Sequence, residues 1–181
     1  HIIQHLIKLP KEISKEISNI SNAEKINKLI LRLRLLKKGA NNQLFNVGYP
    51  LDIDMLLGTG QDNGKTRLSI VYLNTITNHA GKEFFISLLA QKLYHWAKKN
   101  PKDKEQPLKC SFFIDEIHPF IPPVKKPICK EYLLRCIKEF RGYGISCILA
   151  TQNIAGVDYH AFGNIGTINF GKFNAKQDID K

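Results

Sequence analysis

Three short apolar runs, separated by two helical stretches, constrain this chain more than any other feature. The runs are Arg67–Asn74 (RLSIVYLN), Lys109–Asp115 (KCSFFID) and Ile145–Thr151 (ISCILAT). Each is rich in β-branched or aromatic residues, so each is predicted to be a buried strand. Between the first two, Gly81–Lys99 sets Phe85, Leu88, Leu89, Leu93 and Trp96 along one helical face. Between the last two, Lys130–Arg141 reads as a helix ended by Gly142 and Gly144. Apolar strands alternating with helices predict an α/β fold: a parallel sheet covered on both faces. Thr167–Phe173 offers a fourth strand.

The rest of the chain is organised around that core. Lys11–Ile20 carries Ile13, Ile17 and Ile20 at helical spacing. Ser21 and Glu24 form a capping-box pattern. They open a helix striped by Ile26, Leu29, Ile30, Leu33 and Leu36, stopping at Gly39. Its other face is basic (Lys25, Lys28, Arg32, Arg34, Lys37), which a solvated surface explains better than a DNA-binding one. Residues 1–40 are thus expected to be a helical segment and 41–181 the body of the domain. Asp52–Leu57 reads as a short helix in otherwise irregular chain, and the prolines at 119, 122, 123 and 127 make that stretch a loop.

With 181 residues, 43% apolar and 24% charged, the chain has enough apolar material for one core. Its longest apolar runs are far too short to span a bilayer, so no membrane segment is expected. The net charge of +11 favours a polyanionic partner such as nucleic acid. Cys110, Cys129, Cys136 and Cys147 form no CxxC pair, arguing against a zinc ribbon and for free thiols in a reducing, cytoplasmic setting. The chain opens on His1 and its single Met is Met55, which suggests a piece of a longer protein.

The chemistry is concentrated at two strand ends. SFFIDE, Ser111–Glu116, is an apolar strand surfacing as two adjacent carboxylates. In a parallel sheet ligands bind at the carboxyl ends of strands. This has the form of a Walker B segment, in which Asp115 holds Mg²⁺ and Glu116 acts as general base on the attacking water. ILATQ, Ile148–Gln152, ends the next strand and would bring the Gln152 amide beside those acids, where it can sense the γ-phosphate of ATP.

FFIDEIHPFIPP, KEFRGYGISCILATQN and NIGTINFGKFNAKQDI together resemble the C-terminal part of the HerA-like ATPases, of the HerA/FtsK branch of P-loop motors. LFNVGYPLDIDMLL and GKTRLSIVYLN are similar to segments of the same group, so the likeness runs from about Leu44 onward. The resemblance implies a RecA-like P-loop NTPase core with a mainly parallel sheet and flanking helices, incomplete at its N-terminal side. It also implies a hexameric ring that hydrolyses ATP at subunit interfaces and moves double-stranded DNA, in some relatives together with a partner nuclease. By that likeness Asp115 is the Mg²⁺-side acid, Glu116 the catalytic glutamate and Gln152 the sensor. Arg141 corresponds to an arginine reaching a neighbouring subunit's phosphate, although Gly142 follows it where the family has Lys; a helix C-terminal cation is the plainer reading.

The phosphate-binding loop of such a motor, GxxxxGK[ST], is missing. GTGQDNGKT, Gly58–Thr66, nearly matches, but no Gly stands at 59 and a strand rather than a helix is predicted to follow. It is expected to be a turn, the true loop lying upstream of His1 and this fragment alone hydrolysing ATP negligibly. Two other functions fit the same residues: a non-catalytic basic nucleic-acid-binding module, and a ring-assembly subunit without a P-loop.

Overall fold

The computed structural model describes residues 22–35, 38, 49–60, 64–101 and 108–171. The predicted helix at Lys11–Ile20, and Ser21, Leu36, Lys37 and Gly39, lie outside these residues. The chain divides into two units, residues 1–50 and 51–181.

The first unit contributes helix α1, Ala23–Leu35. The Asn22 side chain caps it, accepting the Lys25 N–H at 3.1 Å. Glu24 and Lys28 pair at 2.7 Å one turn apart, an exposed contact that adds only a few tenths of a kcal/mol.

The second unit contains the sheet. Helix α2, Ile53–Leu57, is capped by Asp52, which accepts the Met55 N–H at 2.9 Å. It ends at Gly58 with φ 71°, a left-handed C-cap that an L side chain resists. Helix α3, His79–Lys99, begins at Asn78, whose side chain accepts the Gly81 N–H. Trp96 on α3 donates its indole N–H to Asp54 at 2.8 Å, tying α2 to α3.

The buried stripe of α3 is Ile86, Ala90, Leu93 and Ala97; of the predicted face Phe85, Leu88, Leu89, Leu93 and Trp96 only Leu93 belongs to it, so the stripe is rotated. Close approach decides this. Ala90 and Ala97 are fully buried, and the Cys136 thiol comes within 3.8 Å of the Ala90 carbonyl. Ala90 lets the helix carrying Cys136 come close, while Leu89 and Trp96 of the predicted face are only partly buried.

Strand β1, Cys110–Ile114, and strand β2, Ile145–Leu149, pair in parallel, with Cys110 opposite Ile145 and Ile114 opposite Leu149. Helix α4, Lys130–Glu139, links them and continues into a 3₁₀ turn, Phe140–Tyr143. Gly144, at φ 75°, makes the turn into β2; Gly142 has no such role. One face of the sheet packs on α3 and α4. Phe140 sits at its centre, edge-on to Phe112 and stacked with Tyr94. Each fully buried Leu, Ile or Phe here stabilises the fold by about 1.5–3 kcal/mol.

Two expectations about the sheet fail. Arg67–Asn74 is not a strand: residues 66–73 are irregular and pair with no strand among the described residues, and Leu68 and Ile70 are 83% and 81% exposed. Nor is Thr167–Phe173 a strand over its described residues, 167–171. The described sheet therefore has two strands. Its second face carries the exposed Phe113 and Ile148. β-propensity and apolarity say that a segment suits a sheet, but pairing needs a partner edge, which composition does not report. Among the described residues no helix is long and apolar enough to cross a membrane.

Candidate functional site at the carboxyl ends of the strands

The parallel pairing runs past the strand ends. The Ala150 N–H donates to the Ile114 carbonyl at 3.0 Å, and the Ile117 N–H to the Ala150 carbonyl at 2.9 Å. Asp115 and Glu116 thus leave β1 beside Thr151 and Gln152 leaving β2, at the carboxyl edge where parallel sheets bind ligands.

Contact across that edge is direct. The Thr151 hydroxyl donates to Glu116 Oε1 at 2.9 Å, and His118 Nδ1 lies 2.5 Å from the same oxygen. The His118 hydrogen bond is the main cause holding the Glu116 carboxyl below its ordinary value; partial desolvation opposes it, and Thr151 and the Gln152 backbone N–H reinforce it. Glu116 has φ 56°, the one left-handed non-glycine residue among those described. Such conformations cost about 1–3 kcal/mol and gather at functional sites. Asp115 and Gln152 are exposed beside it.

The loop after Glu116 is firmly seated. Ile117 and Ile121 are buried, and Phe120 stacks on His79 of α3 with ring centroids 5.8 Å apart. Lys130, at the start of α4, donates to the carbonyls of Pro122 at 2.6 Å and Pro123 at 3.3 Å. The same ammonium pairs with Asp158, which caps helix α5, Tyr159–Phe162. Asp158 is therefore a buried structural acid rather than part of an open loop.

Arg141 is not brought to this edge. It precedes β2, on the 3₁₀ turn at the amino ends of the strands, and the strand between is about 16 Å long. Within one chain Arg141 cannot share a ligand with Glu116. Of Gly58–Thr66, the described Gly58, Gly60 and Gly64 have positive φ, and irregular chain, not a helix, follows Thr66.

No three His, Cys, Asp or Glu side chains gather into a metal cage among the described residues. Asp115, exposed at the end of β1, is the available oxygen donor. That suits Mg²⁺, which is commonly held by one or two carboxylates together with substrate phosphates.

Of the residues picked from sequence, Asp115, Glu116 and Gln152 share one edge. Thr151 and His118 were missed. Strand register identifies Thr151: two steps past β2, it faces Glu116, two steps past β1. His118 had only its nearness to Glu116 as a signal. No protein-family model matches the chain, and no curated protein matches it either.

Proposed function

We propose that this chain carries the hydrolytic edge of an ATP-driven motor of the HerA-like kind, acting on double-stranded DNA. What supports the reading is the Glu116 carboxylate bonded across the strand ends to Thr151, with Gln152 next in the chain and Asp115 beside it. In this reading Glu116 takes a proton from the water that attacks the γ-phosphorus, as a general base. Asp115 holds Mg²⁺, which supplies charge neutralisation at the phosphates when bound. Gln152 hydrogen-bonds the γ-phosphate or the attacking water. Arg141, at the far end of the strands, serves only a neighbouring subunit's nucleotide, as a hexameric ring would allow.

The reading needs a phosphate-binding loop, and residues 1–181 contain no GxxxxGK[ST]. It therefore places one in the coding sequence upstream of His1, which a sequencing read checks. In the complete protein, Glu116→Gln should bind ATP and lower turnover by about a hundredfold or more. Turnover close to wild type in that variant removes the catalytic assignment.

The same missing loop favours a second reading, a basic nucleic-acid-binding or ring-assembly module without hydrolysis. A start codon immediately before His1, with duplex DNA bound and no ATP consumed, selects it.

A further inference from the structure

Glu116 is gripped by two side chains to which the proposed chemistry gives no role. Its left-handed backbone ends the line of β1, and its carboxylate meets Thr151 at the end of β2. The Thr151 hydroxyl has one proton and two acceptors within reach, Glu116 Oε1 at 2.9 Å and the Asn153 carbonyl at 3.3 Å. The nearer, charged oxygen takes it. The Asn153 N–H donates back to Thr151 Oγ1 at 3.0 Å and fixes the hydroxyl in place. His118, on the proline-rich loop, bonds to the same Oε1. Both side-chain bonds fall on Oε1, so neither side chain occupies Oε2, the oxygen that acts as the base in this reading.

We propose that Thr151 and His118 are positioning residues that clamp one oxygen of Glu116 so that the other is presented to the attacking water. This rests on the reading of Glu116 as the general base. A strained backbone alone points the side chain; the two donors fix its last torsion, which in a free glutamate is broad. Loss of either donor leaves the base in place but poorly aimed, a defect of turnover rather than of substrate binding.

The test is steady-state MgATP turnover by the complete protein carrying Thr151→Val, which keeps the shape and removes the donor, and Thr151→Ser, which restores it. The expected result is a fall in kcat of about tenfold or more for Thr151→Val with KM within about twofold, and near wild-type kcat for Thr151→Ser. Wild-type kcat in Thr151→Val, or an equal loss in Thr151→Ser, overturns the proposal. Glu116→Gln in the same assay separates the two ideas: if it is as active as wild type, the reading of the base fails. If it is inactive while Thr151→Val is not, only the clamp fails. A second measurement needs no turnover. Nitrogen-15 NMR of the chain should show the His118 proton on Nδ1, moving to Nε2 in Glu116→Ala; an unchanged ring overturns the His118 half.

Discussion

Lys130 and Asp158 form a buried ion pair, Nζ to Oδ2 at 2.5 Å, with the two side chains 10% and 9% exposed. Lys130 also donates to carbonyls of the proline-rich loop, and the Asp158 N–H donates to the Ile121 carbonyl at 2.8 Å. One contact thus joins the start of α4, the loop that carries His118, and the cap of α5. This pair anchors the segment that leaves the site edge.

Breaking the pair from one side strands a buried charge. Lys130→Met should destabilise the fold by about 3–5 kcal/mol, read as a lowered denaturation midpoint. Lys130→Met combined with Asp158→Leu should recover part of that loss, because no unpaired charge remains. A single-variant loss below about 1 kcal/mol would show the pair to be solvated.

Acid should weaken the same region. Asp158 is held below its ordinary value first by the Lys130 hydrogen bond, with burial opposing, and Glu116 is held low first by His118. A carboxyl lowered in the folded state contributes stability above its unfolded value, lost as pH falls through its folded value. Stability should therefore be flat near neutrality and drop below about pH 4. The drop should be shallower in Asp158→Asn, although that variant is less stable at neutral pH. An identical acid limb in both proteins would contradict the assignment.

The thiols should be sluggish. Burial pushes Cys136 and Cys147 up to about 12 and Cys129 up to about 11, and all four cysteines are free. Thiolate is the reactive form, so a disulfide reagent at pH 8 should label these three at least about tenfold more slowly in the native chain than in the unfolded one. Equal rates would place them at the surface.

The exposed segment after Thr66 contrasts with its apolar sequence. Leu68→Ser and Ile70→Ser should each change stability by no more than about 0.5 kcal/mol, as surface substitutions do. A loss of about 2–5 kcal/mol, the size seen for truncated core residues, would put the segment back in a sheet.

The charge excess makes a prediction for binding. Affinity for duplex DNA should fall steeply as salt rises from about 50 to 200 mM, because phosphate contacts release counterions. Lys25, Lys28, Arg32 and Arg34 are exposed on α1 and read as a solvated face, so replacing two of them with Gln should leave that slope unchanged. Salt-independent affinity would make the +11 charge incidental.

Residue order alone determined the local elements: α2 between Asp52 and Gly58, the long helix ending at Asn100-Pro101, β1 running into Asp115–Glu116, and β2 running into Gln152. Caps, glycines and apolar runs act over a few residues, so they are legible there. Tertiary structure decided which apolar runs find a partner. Ile145–Leu149 pairs with Cys110–Ile114, whereas 67–73 does not, although all three runs look alike in composition. It also decided that Thr151 and His118 close on one oxygen of Glu116, and that Lys130 finds Asp158. Hydrogen bonds and buried ion pairs depend on distances held to within a few tenths of an ångström, and for residues far apart in the chain, such as Glu116 and Thr151 or Lys130 and Asp158, only the folded backbone sets them.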